Sequence, residues 1–252
     1  MSARSIALRP GPGPKSVIST LAVTATHEAL HRELATRMGT PRYIARAVSK
    51  GKLLIRGAPE ARTFTQMPEL TGRVKDIYID RYGQDMYDMY SDVATNTHGG
   101  KFHGIPANPP PWSHRPDHDV ESIFWVFLFA FVFVKPLNTT DEPSRLFADV
   151  CDIFQSHTIV GGQGMDRRST LLTSFEEDWL DILHPKLSPL VPMMMRLAEQ
   201  VKPEYGFLDS PPKADHLHEA FRRILLEQIL TMEDDPIPLA PYVSRGLPTP
   251  DS

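Results

Sequence analysis

One stretch constrains this chain more than any other: Ile123 to Val134, an unbroken run of 12 apolar residues holding five Phe and one Trp. A helix that crosses a membrane needs roughly 20 such residues, so the run is expected to be a buried helix rather than a span, and no membrane partner is expected. Acidic Asp117 and Asp119 precede it and suit a helix N-terminus, while Lys135-Pro136 supplies a stop. The predicted helix covers Asp117 to Val134. Being apolar nearly all round, it is expected to lie at the centre of the fold.

The rest of the chain supplies helices to pack on it. Leu30, Leu34 and Met38 recur at fourfold spacing and predict a short helix from Thr26 to Met38. Between Pro68 and Ala94, Leu70, Val74, Ile77, Tyr82 and Met86 share a face, with a break expected at Gly83. Further helices are predicted over Ser144 to Ser156, Ser174 to Leu183, Leu187 to Gln200 and Ala214 to Met232, separated by Gly161, Gly162 and Gly164, by Pro185 and by Pro211-Pro212. No series of strands is evident, so the expected class is all-α. Loops are predicted from Asn96 to Pro116, with its Pro109 to Pro111 triplet, and in the proline-rich tail from Asp234 to Ser252, read as extended or disordered. Residues 1 to 25 read as a disordered leader. Arg4, Arg9 and Lys15 without acids give it a faint likeness to a mitochondrial presequence, which the Pro10 to Pro14 run argues against.

Charge and cysteine usage narrow the function. A net charge of -4 with 23% charged residues and no Lys/Arg block offers nothing that would track a phosphate backbone, so nucleic acid is not an expected partner. The single Cys151 excludes an internal disulfide and a Cys-based zinc cluster, and fits an intracellular location, cytoplasmic or nuclear. It lies in an apolar helix and is expected to be inert. His114 and His118, four residues apart with Asp117 and Asp119 beside them, could face one zinc ion, and His98 and His103 could join them; Pro116 interrupts the helix this needs, which favours capping and loop roles. Gly161-Gly162-Gln163-Gly164 with Arg167 and Arg168 could form an anion nest, but it lacks a P-loop Lys-Ser/Thr and reads as a helix connection. The Met193 to Met195 run is expected to fill core.

Two stretches carry a resemblance. Gly39-Thr40-Pro41-Arg42-Tyr43-Ile44-Ala45-Arg46-Ala47-Val48 resembles the end of a kinase activation segment, and His118-Asp119-Val120-Glu121-Ser122-Ile123-Phe124-Trp125 resembles the start of the central C-lobe helix in the fungal-type protein kinase family. The likeness covers roughly Arg37 to Met232, with residues 51–115 as a long insert, and implies the helical C-lobe of a protein-kinase-like fold lacking the N-lobe sheet, a domain spanning residues 26–233. By that match Gly39, Thr40, Pro41, Arg42, Tyr43 and Ala45 form the floor on which a substrate peptide lies. By the same match Asp119 starts the helix and, with Ser122, is its cap; in the family such a carboxylate accepts backbone N–H bonds from the preceding catalytic loop, and that loop is missing from this sequence. The resemblance places residues 39–48 close to the beginning of that helix.

Family membership would imply ATP-dependent phosphorylation of Ser or Thr, with ATP and magnesium as cofactors. Phosphoryl transfer of this kind uses a Gly-rich loop, a strand lysine, a catalytic aspartate with a nearby asparagine and an Asp-Phe-Gly magnesium site. None can be placed in this sequence. His31-Arg32-Glu33 imitates the catalytic-loop motif with glutamate for aspartate and leaves no room before Gly39 for a magnesium loop. The closing Ala-Pro-Glu is altered to Ala45-Arg46-Ala47, which removes the glutamate that tethers the floor to a buried arginine. The expectation is therefore a pseudokinase remnant without catalytic residues, metal or cofactor, acting by binding a protein or peptide. Two alternatives are an active kinase whose N-lobe is encoded upstream, and a small helical metal-dependent hydrolase using His114 and His118.

Overall fold

The computed structural model describes residues 40–54, 66–91, 111–140, 144–157, 166–207 and 213–246. The predicted helix at Thr26 to Met38, Gly39, the His98 and His103 loop and the Gly161 to Gly164 turn lie outside the described residues. Of the described residues 67% are helical, and their only sheet has two strands. The helices are α1 (Arg46–Lys50), α2 (Gly72–Tyr82), α3 (Gln84–Ser91), α4 (Pro116–Phe133), α5 (Arg145–Ser156), α6 (Glu176–Ile182), α7 (Val191–Val201) and α8 (His216–Thr231); the strands are β1 (Val134–Pro136) and β2 (Leu239–Ser244).

The Phe-rich run becomes α4, and it is central. Val120, Phe124, Trp125, Leu128 and Val132 are fully buried, packed with Phe147 and Phe154 of α5, Trp179 of α6, Met194 and Leu197 of α7 and Phe221 of α8 in one cluster. Met193 and Met194 belong to it, as expected of a core-filling methionine run, and Cys151 is buried. The run is not covered all round, however. Ile123 (42% exposed), Val126 (44%) and Ala130 are spaced by three and four residues and form an outward stripe on α4.

Residues 72–91 form a helical pair. Gly83 divides α2 from α3 with φ at 90°, a conformation that L side chains rarely adopt. The pair is fastened to α8 by Arg223, which donates to the carbonyls of Pro68 and Tyr87 and to Ser91 Oγ while pairing with Glu219 at 2.7 Å. The buried Tyr78 hydroxyl also donates to Glu219, and burial together with that carboxylate pushes its pKa up to about 12.

The tail departs from expectation. Leu239–Ser244 is a strand antiparallel to Val134–Pro136, with a bulge between the Val134–Ser244 and Pro136–Leu239 pairs. Arg245 follows it and is buried. Its guanidinium donates to the carbonyls of Val132 and Ile182 and lies 3.9 Å from the Phe147 ring centroid. Helical α4 leaves its last carbonyls without partners; the Arg245 N–H meets that of Phe133 at 2.8 Å. None of the described helices is long and apolar enough to cross a membrane.

Candidate functional site

Residues 40–50 lie against the first turns of α4. Pro41–Tyr43 form a 3-10 turn with Pro41 opening it, and the Tyr43 ring meets Phe129 edge-on at 5.3 Å. Extended backbone at Ile44 and Ala45 then leads into α1, which Gly51 ends in the left-handed conformation at φ 65°. Arg42 points to α5, where its Nε donates to the Phe154 carbonyl at 3.1 Å. The predicted floor residues Thr40, Pro41, Arg42, Tyr43 and Ala45 are thus together on one segment, and Ala45 is fully buried.

Two buried arginines fasten this segment. Arg168 reaches in from the 3-10 turn Arg167–Thr173, donating through Nη1 to the Arg42 and Ile44 carbonyls at 3.1 and 2.8 Å, while Nε and Nη2 grip Asp166 in a fork. Both side chains of that pair are 0% exposed, and the guanidinium sits 4.9 Å from the Trp125 ring centroid. Although burial works against the charge on Asp166, the hydrogen bonds and charge of Arg168 hold its carboxyl below the usual range. Arg46 is the second. Its Nε donates to Glu121 Oε1 at 2.7 Å and its Nη2 to the Val201 carbonyl, and Glu121 Oε1 also accepts from the Arg46 N–H and Trp125 Nε1. Arg168 was expected to lie on a loose helix connection; it is instead a core residue. Within the altered Ala45-Arg46-Ala47, Arg46 thus pairs with a carboxylate of the central helix α4.

Of the two predicted capping residues, Ser122 meets the segment: its Oγ accepts from the Ala45 N–H at 3.0 Å and donates to the His118 carbonyl. Asp119 does not. Its side chain is 62% exposed and lies 3.4 Å from His114 Nε2, so the carboxylate receiving a backbone N–H from residues 40–48 is Glu121. Glu121 stands inside the resembling motif, two positions on from Asp119, and its burial follows from facing the same side as Trp125, one helical turn away.

Beside this junction the N-terminus of α4 is closed by Arg115. Its backbone N–H donates to His118 Nδ1 at 3.1 Å, and its guanidinium binds Asp117 bidentately and Glu204 Oε1 at 2.7 Å. Glu204 in turn accepts from the Leu54 and Gly206 N–H groups. The rings of His114 and His118 approach to 5.5 Å, and donor atoms of Asp117, His118 and Glu204 lie within 4.8 Å of one another. These residues do not fit a metal ion. His118 Nδ1 accepts a backbone N–H, so the proton of the neutral ring resides on Nε2. A metal on Nε2 would force that proton to Nδ1, against the Arg115 N–H. The two carboxylates are already bridged by a guanidinium. Nε2 is buried without a hydrogen-bond partner among the described residues, and burial pushes the His118 pKa down.

No protein-family model, curated protein or solved structure matches this chain.

Proposed function

We propose that this chain is a kinase-like C-lobe scaffold that binds a protein or peptide segment along the outer face of α4 and does not transfer phosphate. The reading rests on the resemblance of residues 39–48 and 118–125 to the fungal-type protein kinases, and the observation that carries it is the open face beside their junction. Residues 40–50 are held rigidly by buried Arg168 and Arg46, and next to them Asp119 presents an exposed carboxylate at the head of the Ile123, Val126 and Ala130 stripe. A carboxylate with no backbone donor among the described residues, followed by three outward apolar positions on a helix, suits a segment that brings N–H groups to one end and apolar side chains to the other.

A photo-crosslinking residue placed at Val126 in the full chain tests this. One specific protein adduct is expected, reduced at least tenfold by Asp119→Lys, with no magnesium-dependent ATP hydrolysis or peptide phosphorylation by the purified chain. Turnover of ATP that is lost on replacing Asp119, or a crosslink indifferent to Asp119→Lys, would overturn the proposal. An in-frame upstream sequence carrying a strand lysine and an Asp-Phe-Gly motif would replace it with an active kinase.

A further inference from the structure

At the far end of α4 from Asp119, the chain encloses a cleft of unlike halves. One half is a cavity of about 300 Å³ whose walls are almost wholly apolar, among them Phe131 and Val134 from the end of α4, Met193 from α7, and Leu225, Ile229 and Met232 from α8. Its only polar side chain among the described residues is Gln228, whose amide donates to the Pro189 carbonyl. Ile229 at 65% exposure and Leu239 at 49% stand at its rim, unusual exposure for side chains of this kind around an open cavity. The other half, of about 460 Å³, adjoins it through Met193, Gln228, Met232 and Ile237, and carries Lys186, Arg196, Glu227 and Asp235. Arg196 and Glu227 pair with each other, whereas Lys186 and Asp235 have no side-chain partner among the described residues.

We propose that this cleft binds a single-chain amphiphile whose head has no net charge, the alkyl tail lying in the apolar half and the head in the charged half. An apolar cavity whose one polar side chain among the described residues already donates to a carbonyl offers little to hold water and favours an apolar guest. At about 300 Å³ it stands at the small end of ligand cavities, which fits one chain rather than two. Two flexible methionines and only one aromatic ring in the named wall suit an alkyl chain better than a stacked ring. The head is set by charge complementarity: two cations and two anions leave the second half balanced, and the unpaired Lys186 and Asp235 can each meet one charge of a zwitterion.

The test is calorimetric titration of the full chain with dodecylphosphocholine below its critical micelle concentration, with octyl and hexyl analogues, and with dodecanoate and dodecyltrimethylammonium as charged comparisons. One-to-one binding is expected, weakening at least tenfold for each step of chain shortening and favouring the zwitterion over both charged heads. Leu225→Trp, which fills the cavity, and Ile229→Asp, an exposed rim change that leaves the core untouched, should each weaken it at least tenfold, with thermal unfolding showing that both remain folded. Asp235→Asn should move the preference toward dodecanoate. Binding equal in wild type and both cavity variants, binding only above the micelle concentration, or an unmoved head preference in Asp235→Asn would overturn the proposal. So would a dimer, split by Ile229→Asp, that takes up no amphiphile, because the cleft would then belong to a second copy of the chain.

Discussion

Replacing Arg168 by leucine separates what its buried charge does from what its hydrogen bonds do. The substitution takes the guanidinium from Asp166, a fully buried carboxylate left with only the backbone N–H of residue 168 and His157 Nδ1 at 3.8 Å, and removing one partner of such a pair destabilises by about 3–5 kcal/mol. It also leaves the Arg42 and Ile44 carbonyls without the donor that now reaches them, at about 1–3 kcal/mol for each one left unsatisfied. Against a total stability of roughly 5–15 kcal/mol, the single variant should be close to unfolding at room temperature. Arg168→Leu combined with Asp166→Leu removes the stranded charge but not the orphaned carbonyls. Urea unfolding should therefore show the double variant recovering about 3 kcal/mol or more of the loss while remaining less stable than wild type. Hydrogen exchange should localise the remaining deficit to the Ala45 and Arg46 amides, which now donate to Ser122 and Glu121. A double variant as unstable as the single one would refute the buried-charge account, and a single variant within about 1 kcal/mol of wild type would refute the geometry, since exposed pairs are worth that little.

Two further outcomes are expected around Arg115. Burial holds the His118 pKa below its ordinary 6.5, so between the folded value and 6.5 the unfolded chain binds the extra proton; stability is full above about pH 6.5 and declines as pH falls through the folded value, a slope that urea unfolding from pH 8 to pH 5 should reveal and that His118→Asn should reduce without abolishing, because His157 is shifted the same way by burial. Gly206→Ala should destabilise by roughly 1–3 kcal/mol, because a Cβ there would run into the Arg115 guanidinium that Asp117 and Glu204 hold in place; a melting temperature equal to wild type would show that Arg115 is free to move aside.

The helices were legible because their signals are local. The apolar run, the acidic residues at its start and the Lys135-Pro136 stop define α4 within a residue or two, and Gly83 marks the division of α2 from α3 because its positive φ excludes most other residues. The β2 strand was not legible. Five prolines in the tail mask any alternation, and the partner strand is only three residues long and directly follows α4. Pairing across more than 100 residues leaves no trace in a window of the chain, and Arg245, which closes that end by reaching three carbonyls and an aromatic face, reads in sequence as one more surface charge.

The same blindness explains the site. Periodicity identifies what is buried by asking what is apolar, so it placed Trp125 and Phe124 correctly and passed over Arg46, Glu121, Asp166 and Arg168, four charged residues that are buried because each is paired. Asp119 drew attention through its position at a helix start, yet a carboxylate there is buried only if a donor-bearing segment lies over it. Glu121, one face round the helix, has that segment: Arg46 brings it two donors, its backbone N–H and its Nε, and Trp125 a third. What distinguishes the two carboxylates is therefore occupancy of the surface above them, and Asp119, Ile123 and Val126 form the part of α4 on which the described chain places nothing comparable. If a partner covers that part, Asp119 should come to resemble Glu121, buried and with slowed exchange of the partner amides that donate to it.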